Sequence, residues 1–302
     1  MKVGLVLPQF SGDAGKVLGF ARRAEALGYD GVFAFDHFFP PGAPSDRPSL
    51  EAFATLAALA AATERIAIGT LVARASLRPV GLLAKLVASL DDVSGGRAIL
   101  AIGTGDAISA PEHETFGLPS LEPAERRAHL VETVRAVRTL LRGEAWPGGE
   151  HVGAVRGPIL PPPVRPAGPP VWIGGYSDAV VRLAAAEADA WNGWGVQAQV
   201  FAEKAELLRS EAEQAGRGVE ATWAGLVVVG RDEGDAHELM RERSHRDLAE
   251  KEVWAGTPSS LVAWLRELRA AGATWAVLLP GGPADRVELI AETVLPSVRS
   301  GM

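Results

Sequence analysis

Ala98-Ile99-Leu100-Ala101-Ile102-Gly103-Thr104-Gly105-Asp106 holds five apolar residues in a row, then breaks into two glycines, a hydroxyl and an acid. A strand with one wet face alternates polar and apolar residues. An unbroken apolar run of this length is a strand covered on both faces, as in a parallel sheet. Seven more short runs, most of them likewise continuous apolar stretches, are Lys2–Leu7, Gly31–Asp36, Arg65–Val72, Pro170–Gly174, Ala190–Trp194, Thr222–Gly230 and Thr274–Leu279. Between them, apolar residues recur at spacings of three and four, which predicts helices over Gly15–Leu27, Leu50–Thr63, Pro79–Val93, Glu122–Leu141, Ser177–Ala188, Ala202–Ala215, Thr257–Ala271 and Asp285–Val298. Gly28 stands where the first of these should stop, and Pro258 where the seventh should start. Eight strand–helix units predict an α/β fold, a (β/α)8 TIM barrel made by residues 1–302 as a single domain. A doubly wound open sheet is the alternative.

Three connections are longer than such units need, and they read as insertions after strand 4 (Asp106–Leu121), before strand 5 (Gly143–Pro169) and after strand 7 (Arg231–Gly256). The last is expected to hold a helix near Asp235–Leu248. Loops of this length in a compact domain are usually functional rims or lids.

The composition narrows the chemistry. The chain has 302 residues, 47% hydrophobic and 22% charged, which suits a globular protein with a large core. It has no cysteine, so disulfides, thiolate metal sites, iron–sulfur clusters and thiol nucleophiles are excluded. The net charge of −7 argues against broad binding to nucleic acid. No apolar stretch approaches the 18 residues of a membrane span, and Val3–Leu7, closed by Pro8, is too short for a signal-peptide core. A cytoplasmic enzyme acting on a small molecule is the expectation.

In a barrel, chemistry gathers at the carboxyl ends of the strands. The second strand ends in Asp36-His37-Phe38, a carboxylate beside a group that can move a proton near neutral pH. Neighbouring strand residues point opposite ways, so the two are expected to do different jobs; a histidine merely bonded to a nearby loop is the alternative. Thr104, Gly105 and Asp106 close the fourth strand as a glycine turn open to a ligand. Gly174, Gly175 and Ser177 lead into a helix, where backbone N–H groups make either a phosphate seat or a plain helix cap. His113, flanked by Glu112 and Glu114, lies in an expected loop without a second histidine at ligand spacing, so no metal is expected. His237 and His245 read as a solvated helix face, and the absence of a Gly-x-Ser-x-Gly elbow leaves serine hydrolase chemistry unsupported.

Taken in order, Val3–Pro8, Ala24–Asp30, Asp36-His37-Phe38, Ile68–Val72, Leu90–Arg97, Gly103–Asp106 and Trp172–Gly175 resemble the luciferase-like monooxygenase superfamily over nearly the whole chain. The Asp-His-Phe and Gly-Thr-Gly-acid endings are similar to its branch that uses coenzyme F420, a deazaflavin. The resemblance implies hydride transfer between the deazaflavin and a small organic substrate. It gives His37 and Asp106 catalytic parts, and it places Asp36 against the cofactor head group. Leu71 and Val72 would form a bulge with a non-prolyl cis bond behind the ring. Thr104 and Gly105 would border the ring, while Gly174, Gly175 and Ser177 would hold the phosphate side. Arg74, Arg78, Arg126 and Arg127 are candidates for the acidic tail. The sugar-phosphate dehydrogenases of that branch carry tryptophan where this chain has Pro41 and glutamate where it has Asp106, so a different substrate is expected. An FMN-dependent monooxygenase using reduced flavin and oxygen is the main alternative, and a flavin-binding barrel without turnover is the second. A homodimer, formed through the Ala-rich helix Glu51–Thr63, is implied as well.

Overall fold

The computed structural model describes residues 1–41, 46–243 and 253–300. The first half runs β1 (Lys2–Val6), α1 (Ala14–Ala26), β2 (Gly31–Ala34), α2 (Ala52–Ala62), β3 (Ala67–Thr70), β4 (Ala73–Arg74), α3 (Val80–Val93), β5 (Ala98–Gly103), α4 (Ala110–Thr115) and α5 (Pro123–Leu141). The second runs β6 (Val171–Gly174), α6 (Asp178–Glu187), β7 (Ala190–Trp194), α7 (Ala198–Gln214), β8 (Glu220–Val229), α8 (Glu233–Arg243), β9 (Val253–Gly256), α9 (Pro258–Ala270), β10 (Ala273–Gly281), α10 (Arg286–Thr293) and α11 (Leu295–Arg299). All pairings among these strands are parallel, and β10 bonds to both β1 and β8, which closes an eight-strand barrel. The expected (β/α)8 barrel is therefore the fold, and the open sheet is excluded because β10 pairs with β8 as well as with β1.

Aromatic packing fills the barrel. Phe33, Trp172 and Trp275 meet pairwise with ring centroids 5.5 to 5.8 Å apart. The sequence makes room for the central ring with glycine. A Cβ at Gly4 or Gly31 would stand 2.9 Å from Phe33 Cε2, and one at Gly69 would stand 2.8 Å from its other edge. Three neighbouring strands thus each give up a side chain to admit one phenyl ring. A larger shell between strands and helices contains Leu5, Leu56, Val137, Phe201 and Leu265, all fully buried.

Each helix has a local reason for its bounds. Asp13 caps α1 by accepting the Lys16 N–H, and Gly28 follows its end with φ +86°, a conformation that glycine adopts at no steric cost. Thr257 and Ser260 form a reciprocal capping box ahead of α9, with Pro258 in the first turn. The differences from the sequence expectation are small and physical. Arg65–Val72 was expected as one strand, but it ends at Thr70 and resumes as the two-residue β4 after a bulge. The last helix divides near Val294, just ahead of Pro296, whose missing N–H cannot serve an interior helical turn. The connection 231–256 carries α8 and an unforeseen strand, β9, which pairs with β8. Of the helix expected at Asp235–Leu248, the stretch 244–248 lies outside the described residues, as does His245.

The long connection 143–169 is tied down rather than loose. The Glu132 carboxylate on α5 accepts N–H bonds from Glu150, His151 and Val152, and fully buried Asp91 on α3 pairs with Arg165.

Candidate active site

The carboxyl end of β2 is held before it presents anything. Gln9, buried just after β1, accepts the Phe35 N–H through Oε1 at 2.5 Å and donates from Nε2 to the Phe35 carbonyl at 2.6 Å. This amide stands in for a strand neighbour and carries the β2 backbone past its last ladder bond. The next two side chains part company, as strand alternation requires.

Asp36 is 2% exposed. Arg78 binds it through both nitrogens, at 2.7 and 2.8 Å, and the Arg74 N–H adds a bond of 3.0 Å. The same guanidinium reaches Glu51, at the start of α2, at 2.6 Å. Burial acts to lower the Arg78 pKa, but its bonds to Asp36 and Glu51 outweigh that and hold it above the ordinary arginine value. Asp36 thus braces the ends of β2 and β4 together. The contact with a cofactor head group that the resemblance implies would have to displace this brace.

His37 turns toward the insertion after β5. Its Nδ1 lies 2.5 Å from Oε1 of Glu112, while the Phe38 N–H and Arg74 Nη2 donate to Oε2 at 2.8 and 2.9 Å. The Glu112 side chain is 0% exposed and that of Arg74 3%, whereas the imidazole keeps 17% of its surface. Burial acts to raise the Glu112 pKa. The hydrogen bond from His37, the Phe38 N–H and the charge of Arg74 overcome it, so the carboxyl stays below the usual glutamate range. The Arg74 guanidinium also lies over the Phe38 ring, 5.4 Å from its centroid, and Phe38 packs on Phe116.

The glycine turns reach the same rim. The Leu71–Val72 peptide is cis, at the bulge the resemblance implies. A Cβ at Gly103 would stand 2.8 Å from Val72 Cγ2, and one at Gly174 2.7 Å from Cγ1, so both glycines are required where the bulge meets β5 and β6. Gly105, at φ +71°, lies against the Arg74 side chain; Gly175 is joined to β7 by its own N–H and by the Trp191 indole N–H. Thr104 Oγ1 bonds to the Gly105 carbonyl. Asp106 Oδ1 accepts the Ser109 N–H and hydroxyl, capping the short turn ahead of α4. Ser177 caps α6 by accepting the Val180 N–H. Half-buried Phe35, Val72, Trp194 and Leu279 pack on the aromatic barrel core, and Phe35 touches Trp194 and Phe10 edge-on and stacked respectively.

Sequence reasoning missed Glu112. The segment was taken as a loop, yet it forms the six-residue helix α4, and the flanking His113 turns away to the Pro119 carbonyl. The available signal was Pro111 followed by an acid, a common helix opening. Among the described residues no cluster suits a metal ion, and no helix is long and apolar enough to cross a membrane.

The mouth offers an apolar, partly aromatic floor and four close-packed glycines, and beside Gly105 lie two buried Arg74 nitrogens, Nε and Nη1, with no hydrogen-bond partner among the described residues. That donor set fits a flat heterocycle carrying an anionic tail. Fold and rim together define a barrel with a candidate ligand site at the carboxyl ends of the strands. The chain belongs to the luciferase-like monooxygenase family, whose model matches residues 1–277. Among solved structures it is similar to an F420-dependent secondary alcohol dehydrogenase in complex with an F420–acetone adduct (TM-score 0.86, 20% identity, 99% of each chain). It is also similar to a monooxygenase from Streptomyces bottropensis (TM-score 0.80, 23% identity, 98% of this chain and 99% of that one). A third is the coenzyme F420-dependent tetrahydromethanopterin reductase from Methanopyrus kandleri (TM-score 0.80, 18% identity, 99% of each chain).

Proposed function

We propose that this protein is a coenzyme F420-dependent oxidoreductase acting on a small organic substrate. The observation that carries the reading is His37, a partly exposed imidazole fixed at the strand-end rim by a buried carboxylate. When bound, the deazaflavin supplies a ring carbon that gives or accepts a hydride. The chain's own residues bind, orient and manage protons. His37 moves a proton at the substrate oxygen through Nε2, the nitrogen not engaged by Glu112. Leu71 and Val72 back the ring, and Thr104, Gly105 and Asp106 border the substrate. Gly174 and Gly175 leave room on the phosphate side, which Ser177 and the backbone N–H groups at the start of α6 would take. The unpartnered nitrogens of Arg74 favour an anionic group nearby.

The resemblance of Asp36-His37-Phe38 and Gly103–Asp106 to the F420 branch supports this choice of cofactor. The name of the matched family and the S. bottropensis relative favour a second reading, an FMN-dependent monooxygenase. Titrating the protein with oxidised F420 and with FMN while following tryptophan fluorescence separates the two. Micromolar binding of F420 with weak or no binding of FMN is expected; the reverse overturns the proposal. A homodimer through α2 and a cytoplasmic location complete the proposal, and light scattering on the purified chain tests the dimer.

A further inference from the structure

The contacts around Glu112 go further than an anchor for a loop. Its two oxygens are used unequally: Oε2 takes the Phe38 N–H and Arg74 Nη2, while among the described residues Oε1 meets only the His37 ring, at 2.5 Å. Two donors fixed on Oε2, one of them a buried cation, hold the group as a carboxylate. A carboxylate oxygen has only lone pairs to offer. At that distance an unprotonated Nδ1 would oppose lone pair to lone pair, so the neutral ring must carry its one proton on Nδ1.

We propose that Glu112 is a positioning residue that locks His37 as its Nδ1–H tautomer, leaving Nε2 as the bare nitrogen that faces the ligand site. The inference rests on the reading of His37 as the proton-handling group, and it deepens that reading by naming what sets the direction of the imidazole. An isolated imidazole prefers the opposite tautomer, so without Glu112 the lone pair would sit on the wrong nitrogen. Arg74 takes part indirectly. By occupying Oε2 together with the Phe38 N–H, it decides which face of the carboxyl His37 meets. The Ser49 hydroxyl, bonded to the His37 carbonyl at 2.9 Å, fixes the backbone of the same residue.

The test needs no cofactor. The full chain, labelled with 15N-histidine, carries six histidines, and a His37→Gln control assigns the signal. The ring 15N shifts are read at a pH where the imidazole is neutral. In the wild type, Nδ1 is expected to be protonated and Nε2 bare. In Glu112→Gln the amide oxygen stays on the Arg74 and Phe38 donors, so the NH2 group faces Nδ1 and the tautomer inverts to Nε2–H. A wild-type spectrum showing Nε2–H or a mixture overturns the proposal even if the variant fails to fold. So does an unchanged Nδ1–H signal in the variant, which is what a purely structural Glu112 would give. Failure of F420 to bind would overturn the cofactor reading and leave this result standing, so the two remain separable.

Discussion

The two sides of the barrel mouth are built on opposite principles. At the end of β2, side chains hold one another: Asp36, Glu112 and Arg74 are buried and bonded into one cluster with Arg78 and His37, whose side chains keep 11% and 17% of their surface. At the end of β6, side chains withdraw. Gly174 and Gly175 carry no side chain, the Gly175 N–H is spent on the Asn192 carbonyl, Ser177 serves as a helix cap, and Tyr176 stands 70% exposed. One side fixes a single reactive group against rotation, and the other is backbone without side chains leading into the start of α6. The contrast suits a site in which chemistry must be rigid while binding tolerates a varied ligand.

Four substitutions sharpen or break that contrast. Replacing His37 by Asn is expected to slow hydride transfer by about 10²–10⁴-fold while F420 affinity changes only a few-fold, as removal of an acid–base group does. Single-turnover rates beside fluorescence titrations measure both; an equal loss in affinity would make His37 a binding residue. Arg74→Met leaves the Glu112 carboxylate buried without its cation, which should cost about 3–5 kcal/mol in urea unfolding. A loss below about 1 kcal/mol would mean that the His37 and Phe38 bonds suffice alone. On the opposite side, Gly174→Ala drives a Cβ into Val72, so a loss of about 1–3 kcal/mol is expected together with weaker cofactor binding. Ser177→Ala removes only a cap and should cost about 1 kcal/mol, with catalysis unchanged once the protein is folded.

The ionised cluster also carries a pH signature. Because the Glu112 pKa is lower in the folded state than in the unfolded chain, its contribution is complete above about pH 4.3 and fades as pH falls through the lower folded value. Unfolding midpoints in mild acid should drop more steeply for the wild type than for Glu112→Gln; parallel curves would show that the carboxylate adds nothing through ionisation.

This contrast also explains what could be read in advance. The strand Ala98–Gly103 could be read in advance because a strand buried on both faces is written as one unbroken apolar run, here Ala98–Ile102 closed by Gly103. His37 and the glycine turns stood out because residue type and strand end coincide. Glu112 did not, since its partner lies 75 residues away and a six-residue helix is too short to show a periodic pattern. Nor could sequence tell that Arg78 would be drawn to Asp36 and Glu51; a long side chain of this kind pairs with whatever carboxylates the fold brings near.

A crystal structure with coenzyme F420 bound tests the central claim most directly. The deazaflavin ring is expected against Leu71 and Val72, with its phosphate side toward Gly174–Ser177 and His37 Nε2 facing the substrate side of the ring. A ring bound at the opposite end of the barrel, or at this end but out of reach of His37, would contradict the account.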